Sequence, residues 1–479
     1  MFAGIACTDM DSILTIDIGT TGVKILLFDL KGNVIRGETH ELKTYTNETG
    51  SVEQSPQEIY QAVETGIANI TGQSKIRILG VALSGALHSL LGVDTTGDVL
   101  FNAMIWSDMR SSEVANELKA NQGDEIHFKT GTPIHPMSPL CKLIWLKRST
   151  PDLFEKTYKF LSLKEYVIFK LTGEFVVDTS LASATGLLNT GSLAWEDHAL
   201  EMASIEKDRL GQLAEPTYSL PIKTGPLKGL PLILGGGDGC LANLGSGVMD
   251  DQGIALTIGT SAAIRSTVKQ PERNRDSRTF TYHIDQDWFV KGGASNNGGN
   301  VYRWLNETYP EISDEGIIQS EIGANGLTAL PYVFGERAPF WTTGLKEHLH
   351  GLTDRHSPND IARSYLEGLC YNLLLISGTF SDFEHIVASG GFIKSVFWPQ
   401  MISDIFGKPV HLLQTAENTS LGAALIGMKS LGLISHYREA TEYVRINQVI
   451  EPVKSRSVKY DRGFGNFLNL LGEVYPELV

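Results

Sequence analysis

Cysteine is scarce: 479 residues contain four, Cys7, Cys141, Cys240 and Cys370, with no CxxC pair. Thiols so dispersed build neither a disulfide framework nor a zinc site, and they suit a reducing cytoplasm. Long hydrophobic runs are missing too. The longest apolar stretch, Gly80–Val93, is broken by Ser84, His88 and Ser89. It falls short of the roughly 18 uninterrupted residues of a membrane-spanning helix, so no membrane is expected. Positive charge is in deficit: 40 Lys and Arg against 55 Asp and Glu leave −15. That balance repels nucleic acid but leaves room for a small anion in a locally positive pocket. The opening MFAGIACTDMDS lacks the basic flank and length of a secretory signal, so residues 1–11 read as a frayed, disordered leader. The absence of GxxxxGK[ST], HExxH and GxSxG argues against P-loop, zincin and α/β-hydrolase chemistry.

What is present is ordinary globular composition, 42% hydrophobic and 20% charged, in a chain long enough for two or three domains. Its most informative feature is an internal echo. Ile16-Asp17-Ile18-Gly19-Thr20-Thr21-Gly22 recurs 240 residues on as Leu256-Thr257-Ile258-Gly259-Thr260-Ser261-Ala262. In each copy an apolar run enters a small, hydroxyl-bearing turn and a second apolar run leaves it. Strands are expected at 13–17, 23–29 and 34–40, a helix at 56–70 and a strand at 77–84. The second half repeats this with strands at 253–258, 262–268 and 287–292, a helix at 360–380 and a strand at 385–388. The pattern predicts an α/β protein of two similar domains, 12–246 and 247–479, with mixed sheets, flanking helices and a cleft between them. The last helices are expected to pack back on the first domain.

Four motifs carry chemistry. Asp17-Ile18-Gly19-Thr20-Thr21-Gly22-Val23-Lys24 can cradle phosphate with N–H groups and hydroxyls, while Asp17 can hold a Mg²⁺ shell; the plain alternative is a strand turn. Pro231–Gly239 runs an apolar strand into glycines and Asp238, a candidate general base. An N-cap Asp is the plain reading there. A dinucleotide fingerprint, Gly237-x-Gly239-x-x-Ala242, is weakened because the acid it needs about 20 residues on falls inside Leu256–Gly259. Ser389-Gly390-Gly391-Phe392 together with Glu417-Asn418-Thr419-Ser420 can admit adenine against the backbone, or is a tightly packed turn and helix. Ser84–Ser89 and Trp106–Arg110 supply His, Asp and Arg for polyol hydroxyls and a carboxylate, although a lone His is more often structural.

Together these motifs resemble the FGGY family of carbohydrate kinases, in the actin/hexokinase/ribonuclease-H-like superfamily. The resemblance runs from about Ser12 to the C-terminal helices. DIGTTGVK is similar to the family's first phosphate motif, TIGTSAAIR to its second, GGGDG to its catalytic-aspartate motif and SGGFIKSVFWPQMISDIFG to its adenosine motif. Gly85-Ala86-Leu87-His88-Ser89, Lys129–Met137, Ser180–Ala184 and Gly335-Glu336-Arg337-Ala338-Pro339 look like the gluconate-phosphorylating members, whereas xylulose kinases usually carry Gly-Gln-Met-His-Gly at the first of these. The resemblance implies two ribonuclease-H-like domains, ATP and Mg²⁺ as requirements, and phosphorylation of D-gluconate to 6-phospho-D-gluconate. Asp238 is then the base, and Leu87, His88, Asp108 and Arg110 form the sugar side, with Arg110 the candidate for the carboxylate. Thr20, Thr21, Gly259, Thr260 and Ser261 lie near the phosphates, Gly390, Gly391 and Asn418 near adenosine, and Asp17 at the metal. D-xylulose is the alternative substrate, and a non-catalytic, actin-like nucleotide-binding protein the alternative from another class. Homodimers are common in the family.

Overall fold

The computed structural model describes residues 11–48, 50–72, 76–250, 252–271, 278–342, 344–415 and 417–478. Most of the expected leader, with Cys7, lies outside them. Asp11 does not belong to a leader: it opens the first strand and is 1% exposed.

The first half is built on β1 (Asp11–Ile18), β2 (Gly22–Asp29), β3 (Val34–Glu41), helix α1 (Pro56–Thr71) and β4 (Arg77–Gly85). Helix α1 starts where Ser55 accepts from the Glu58 N–H and Pro56 occupies the first turn, and its buried Ile59, Val63, Ile67 and Ile70 recur at helical spacing. Of the helices that follow, α2 (Pro139–Ser149) and α3 (Leu163–Thr172) bear on the site, and β5 (Ser219–Pro221) and β6 (Pro231–Gly237) complete the sheet. Helix α4 (Asp238–Gly245) follows β6 directly.

The second half is built on β7 (Gly253–Ile258), β8 (Ala262–Val268), β9 (Phe280–Asp285), β10 (Trp288–Ser295), α5 (Pro358–Ser377), β11 (His385–Ser389), β12 (Val410–Leu413), α6 (Asn418–Ser430) and β13 (Ile446–Ile450).

The six-stranded first sheet has the order β5-β6-β4-β1-β2-β3, and the seven-stranded second sheet β9-β10-β8-β7-β11-β12-β13. In the first, β1 is antiparallel to β2 and parallel to β4, β6 is parallel to β4, and β5 closes antiparallel. In the second, β7 is antiparallel to β8 and parallel to β11, β12 is parallel to β11, and β13 closes antiparallel. The echoed sequences thus occupy equivalent central strands. Among the unforeseen elements, β9 pairs with β10 as a hairpin, where the sequence suggested a single strand at 287–292. Its turn passes through Gln286 at a φ of 54°, a left-handed position with no Asn-Gly or Asp-Gly to announce it.

The lobes share a core. Ile13, Ala82 and Ile233 of the first sheet join Ile254, Leu256 and Ile264 of the second through Leu241 and Leu244 of α4 and Leu425 of α6. Helix α6 leaves the second sheet and packs on β1, β4 and β6; α4 leaves the first sheet and packs on β8, β9 and β10. The two helices meet at glycines. A Cβ on Gly245 would lie 1.9 Å from the Asn418 carbonyl oxygen, and one on Gly422 would lie 2.0 Å from that of Leu241. Each large aliphatic side chain buried here contributes roughly 1.5–3 kcal/mol. No helix among the described residues is long and apolar enough to cross a membrane.

Candidate active site

Asp238 owes its position to a break in β6. Pairing of β6 with β4 shifts register between Ile233 and Gly236. At the break Gly235 takes a φ of 67°, where a Cβ would sit 1.7 Å from the Leu83 carbonyl oxygen. Glycine alone accommodates that approach. Lys164 fixes the distorted segment from below, donating to the Leu234 and Gly236 carbonyls at 3.0 Å each while pairing with buried Asp178 at 2.5 Å. The strand then ends, and the Asp238 carboxylate at the start of α4 accepts from the Gly239 N–H at 2.7 Å. Burial raises its pKa, against the lowering effect of that N–H and of Arg265.

A cavity of about 410 Å³ opens in front of this carboxylate. Thr20 and Thr21 of the first echoed turn and Thr260 and Ser261 of the second line it together with Asp238, so the two turns face one space. Leu87, His88, Trp106, Tyr282, Arg265 and Arg337 line the remainder. Trp106 Nε1 donates to Thr20 Oγ1 at 3.2 Å, joining the wall to the first turn.

His88 sits in left-handed backbone at a φ of 70°, which is uncommon for a residue with a side chain. Lys142, buried beneath it, donates to the His88 carbonyl at 2.6 Å and to those of Ile105 and Met104 at 2.7 and 3.3 Å. Burial pulls the Lys142 ammonium down to about 7. The His88 ring places Nδ1 2.8 Å from the Ala184 carbonyl oxygen. A carbonyl only accepts, so Nδ1 carries the proton and Nε2 is an acceptor. Burial, reinforced by Lys142, lowers the imidazole to about 3 and keeps it neutral.

Asp108 and Arg110 are not brought together with Leu87 and His88. Asp108 accepts from the Val52 N–H at 2.9 Å, and Arg110 donates to both Asp108 oxygens and to Glu53 Oε1 at 2.6 Å. The guanidinium lies 4.7 Å over the Trp145 ring, and neither residue lines the cavity. Arg110 thus serves an internal bidentate pair, and the cavity's cations are two residues to which sequence reasoning gave no role, Arg265 and Arg337. For Arg265 a signal existed: 261, 263 and 265 alternate onto one face as β8 leaves the turn. Arg337 follows an irregular segment whose direction no local pattern reveals.

Asp17 Oδ1 is buried and has no hydrogen-bond partner. Burial, with the Asp238 carboxylate adding to it, raises Asp17 to about 6. An orphaned carboxylate oxygen beside a phosphate cradle fits a divalent cation that keeps its waters and takes one or two carboxylates. Gly390 and Gly391 follow β11, with Gly390 packed on the Ile258 carbonyl beside the second turn. Asn418 opens α6, its Oδ1 buried and without a partner. None of these three lines the cavity. The preceding Glu417 pairs with Lys24 of β2 at 2.8 Å, tying the second lobe to the first.

Two lobes of one topology, facing Gly-Thr turns and a carboxylate between them define a two-domain phosphotransferase of the actin/hexokinase-like fold. The FGGY family of carbohydrate kinases, N-terminal domain, matches residues 12–245, and its C-terminal domain matches residues 254–431. The chain belongs to this family and is an ATP-dependent sugar phosphotransferase. It is 34% identical to a gluconokinase of Bacillus subtilis, over 96% of this chain and 95% of that protein. Among solved structures it is similar to a ligand-bound xylulose kinase from Lactobacillus acidophilus (TM-score 0.94, 30% identity, 98% of this chain and 99% of that one). It is also similar to a gluconate kinase from the same organism (TM-score 0.93, 31% identity, 97% and 98%).

Proposed function

We propose that the chain phosphorylates D-gluconate at its terminal hydroxyl to give 6-phospho-D-gluconate. The observation that supports this best is the shared cavity, in which the Asp238 carboxylate, both hydroxyl turns and two guanidinium groups meet. The substrate hydroxyl gives its proton to Asp238 as its oxygen bonds to the γ-phosphorus and the bond to the ADP oxygen breaks. His88 Nε2 accepts from a substrate hydroxyl and Leu87 packs on the carbon chain. Thr20, Thr21, Thr260 and Ser261, with the Gly259 backbone, hold the phosphates, while Gly390, Gly391 and Asn418 take the adenosine. Asp17 would hold Mg²⁺, which would neutralise phosphate charge. We divide the lobes at Ser246 and place the protein in a reducing cytoplasm, where its described cysteines, all buried and free, stay reduced.

D-xylulose remains the second reading, favoured by the similarity to a xylulose kinase structure. A non-catalytic nucleotide-binding role is disfavoured by the placement of Asp238. ADP release with ATP, Mg²⁺ and D-gluconate, D-xylulose, glycerol, L-ribulose or no sugar tests the proposal. Preference for gluconate is expected. Preference for xylulose would overturn the substrate and keep the base.

A further inference from the structure

Arg265 and Arg337 share the cavity with Asp238, and each has a buried Nε with no hydrogen-bond partner. No carboxylate of the described residues lies within ion-pair distance of either. Arg337 is 9% exposed; its Nη2 donates to the Ser295 carbonyl at 3.2 Å, and its guanidinium lies 4.8 Å over the Trp106 ring. The neighbouring Glu336 carboxylate accepts from Ser295 Oγ, the Asn296 N–H, the Asn297 and Asn372 side-chain amides and the Arg337 backbone N–H, but not from the Arg337 guanidinium. Arg265 lies against residue 239, where a Cβ would make ordinary van der Waals contact with its Nε at 3.5 Å.

A desolvated cation that no carboxylate contacts directly is costly: Asp238 acts on Arg265 and Glu336 on Arg337 only from beyond ion-pair distance, and the two cations in one cavity repel each other. With His88 neutral, the lining groups sum to one surplus positive charge while Asp238 is ionised, and to two once it has taken the hydroxyl proton. Before nucleotide binds, a neutral polyol leaves that surplus unmatched. A singly charged acid cancels it and presents the two oxygens that guanidinium forks grip.

We propose that Arg265 and Arg337 together form the seat of the substrate carboxylate and set the preference for a sugar acid over a neutral sugar. This assignment rests on the gluconate reading above. A competing role exists for the same charges, neutralising the transferred phosphoryl group, and it would serve every acceptor alike.

The test compares kcat/KM for D-gluconate and D-xylulose in the wild-type chain, Arg265→Gln and Arg337→Gln, with gluconate binding followed by calorimetry without ATP. In each variant the gluconate-to-xylulose ratio is expected to fall at least tenfold, mostly through the KM for gluconate, with a matching loss of gluconate binding. A smaller fall, or a loss of kcat shared by both substrates, overturns the seat. Should a Gln variant fail to fold, Arg265→Lys and Arg337→Lys keep the charge but lose the fork. They are expected to lower the ratio at least threefold, and an unaltered ratio overturns the assignment. A wild-type enzyme indifferent to gluconate would refute the substrate reading itself. A gluconate-preferring wild type whose variants keep the ratio refutes only the seat.

Discussion

Asp238→Asn is the most direct probe of the chemistry. The amide has nearly the volume of the carboxylate, and its oxygen can keep the 2.7 Å bond from the Gly239 N–H, so the broken register of β6 and the start of α4 should survive. Two things are lost. The side chain can no longer accept the hydroxyl proton, a contribution of about 10²–10⁴-fold in rate, and the negative charge beside Arg265 disappears. Loss of the base alone places the expected fall in kcat near 10³-fold, or about 4 kcal/mol of barrier. ATP affinity should stay within threefold, because the expected adenosine residues Gly390, Gly391 and Asn418 lie outside the cavity. Coupled ADP release at saturating gluconate and ATP gives kcat, and fluorescence titration gives nucleotide affinity. A kcat within tenfold of wild type, in a variant that still melts normally, would refute the base assignment.

Lys142→Met leaves the carbonyls of His88, Met104 and Ile105 without their shared donor. At about 1–3 kcal/mol for a buried unsatisfied group, denaturant unfolding should show a loss of about 3 kcal/mol, and the sugar KM should rise at least fivefold as His88 leaves its left-handed backbone. An unchanged midpoint would contradict this. The His88 imidazole, at about 3 when folded against 6.5 when free, binds its proton in the unfolded chain alone between those values. Its contribution to stability is therefore complete above pH 6.5 and declines as pH falls, by up to about 1.4 kcal/mol per unit. His88→Asn should flatten the loss of stability from pH 7 to 5, and equal slopes would reject the neutral, buried assignment. Gly422→Ala forces a methyl to 2.0 Å from the Leu241 carbonyl oxygen and should lower stability by roughly 1–3 kcal/mol. Gly465→Ala, on the helix Lys454–Val474 with open space around its Cβ, should instead be neutral or stabilising by about 1 kcal/mol. Similar melting points for these two variants would refute the crossing.

The sequence revealed most where short-range rules decide the outcome. The echo of Ile16–Gly22 in Leu256–Ala262 foretold two like halves because an apolar strand entering a small hydroxyl turn is a local event, and the strands 253–258 and 262–268 form with the expected bounds. The β9–β10 hairpin escaped because its turn is held by tertiary context rather than by turn residues. Arg110 was misleading for a related reason: its chemistry suits a carboxylate, but Asp108 two residues away and Glu53 across the fold claim it first. Arg337 is the converse case. Its buried, unpaired state exists only after residues 295–297, 336 and 372 converge, and no window of sequence contains them all.

The exchange of α4 and α6 between the lobes has a mechanical consequence. Asp238 and Gly245 stand at opposite ends of an eight-residue helix, so the reacting carboxylate rides on an arm of about 10 Å measured from the glycine contact. A tilt of about 10° at that contact would carry the arm's far end by roughly 2 Å. An ångström of misplacement is enough to cost about 10²-fold in rate. The fit of two glycines against two carbonyls, one a helical turn from Asp238 and the other at the far end of its helix, thus bears on how finely the reacting carboxylate is placed.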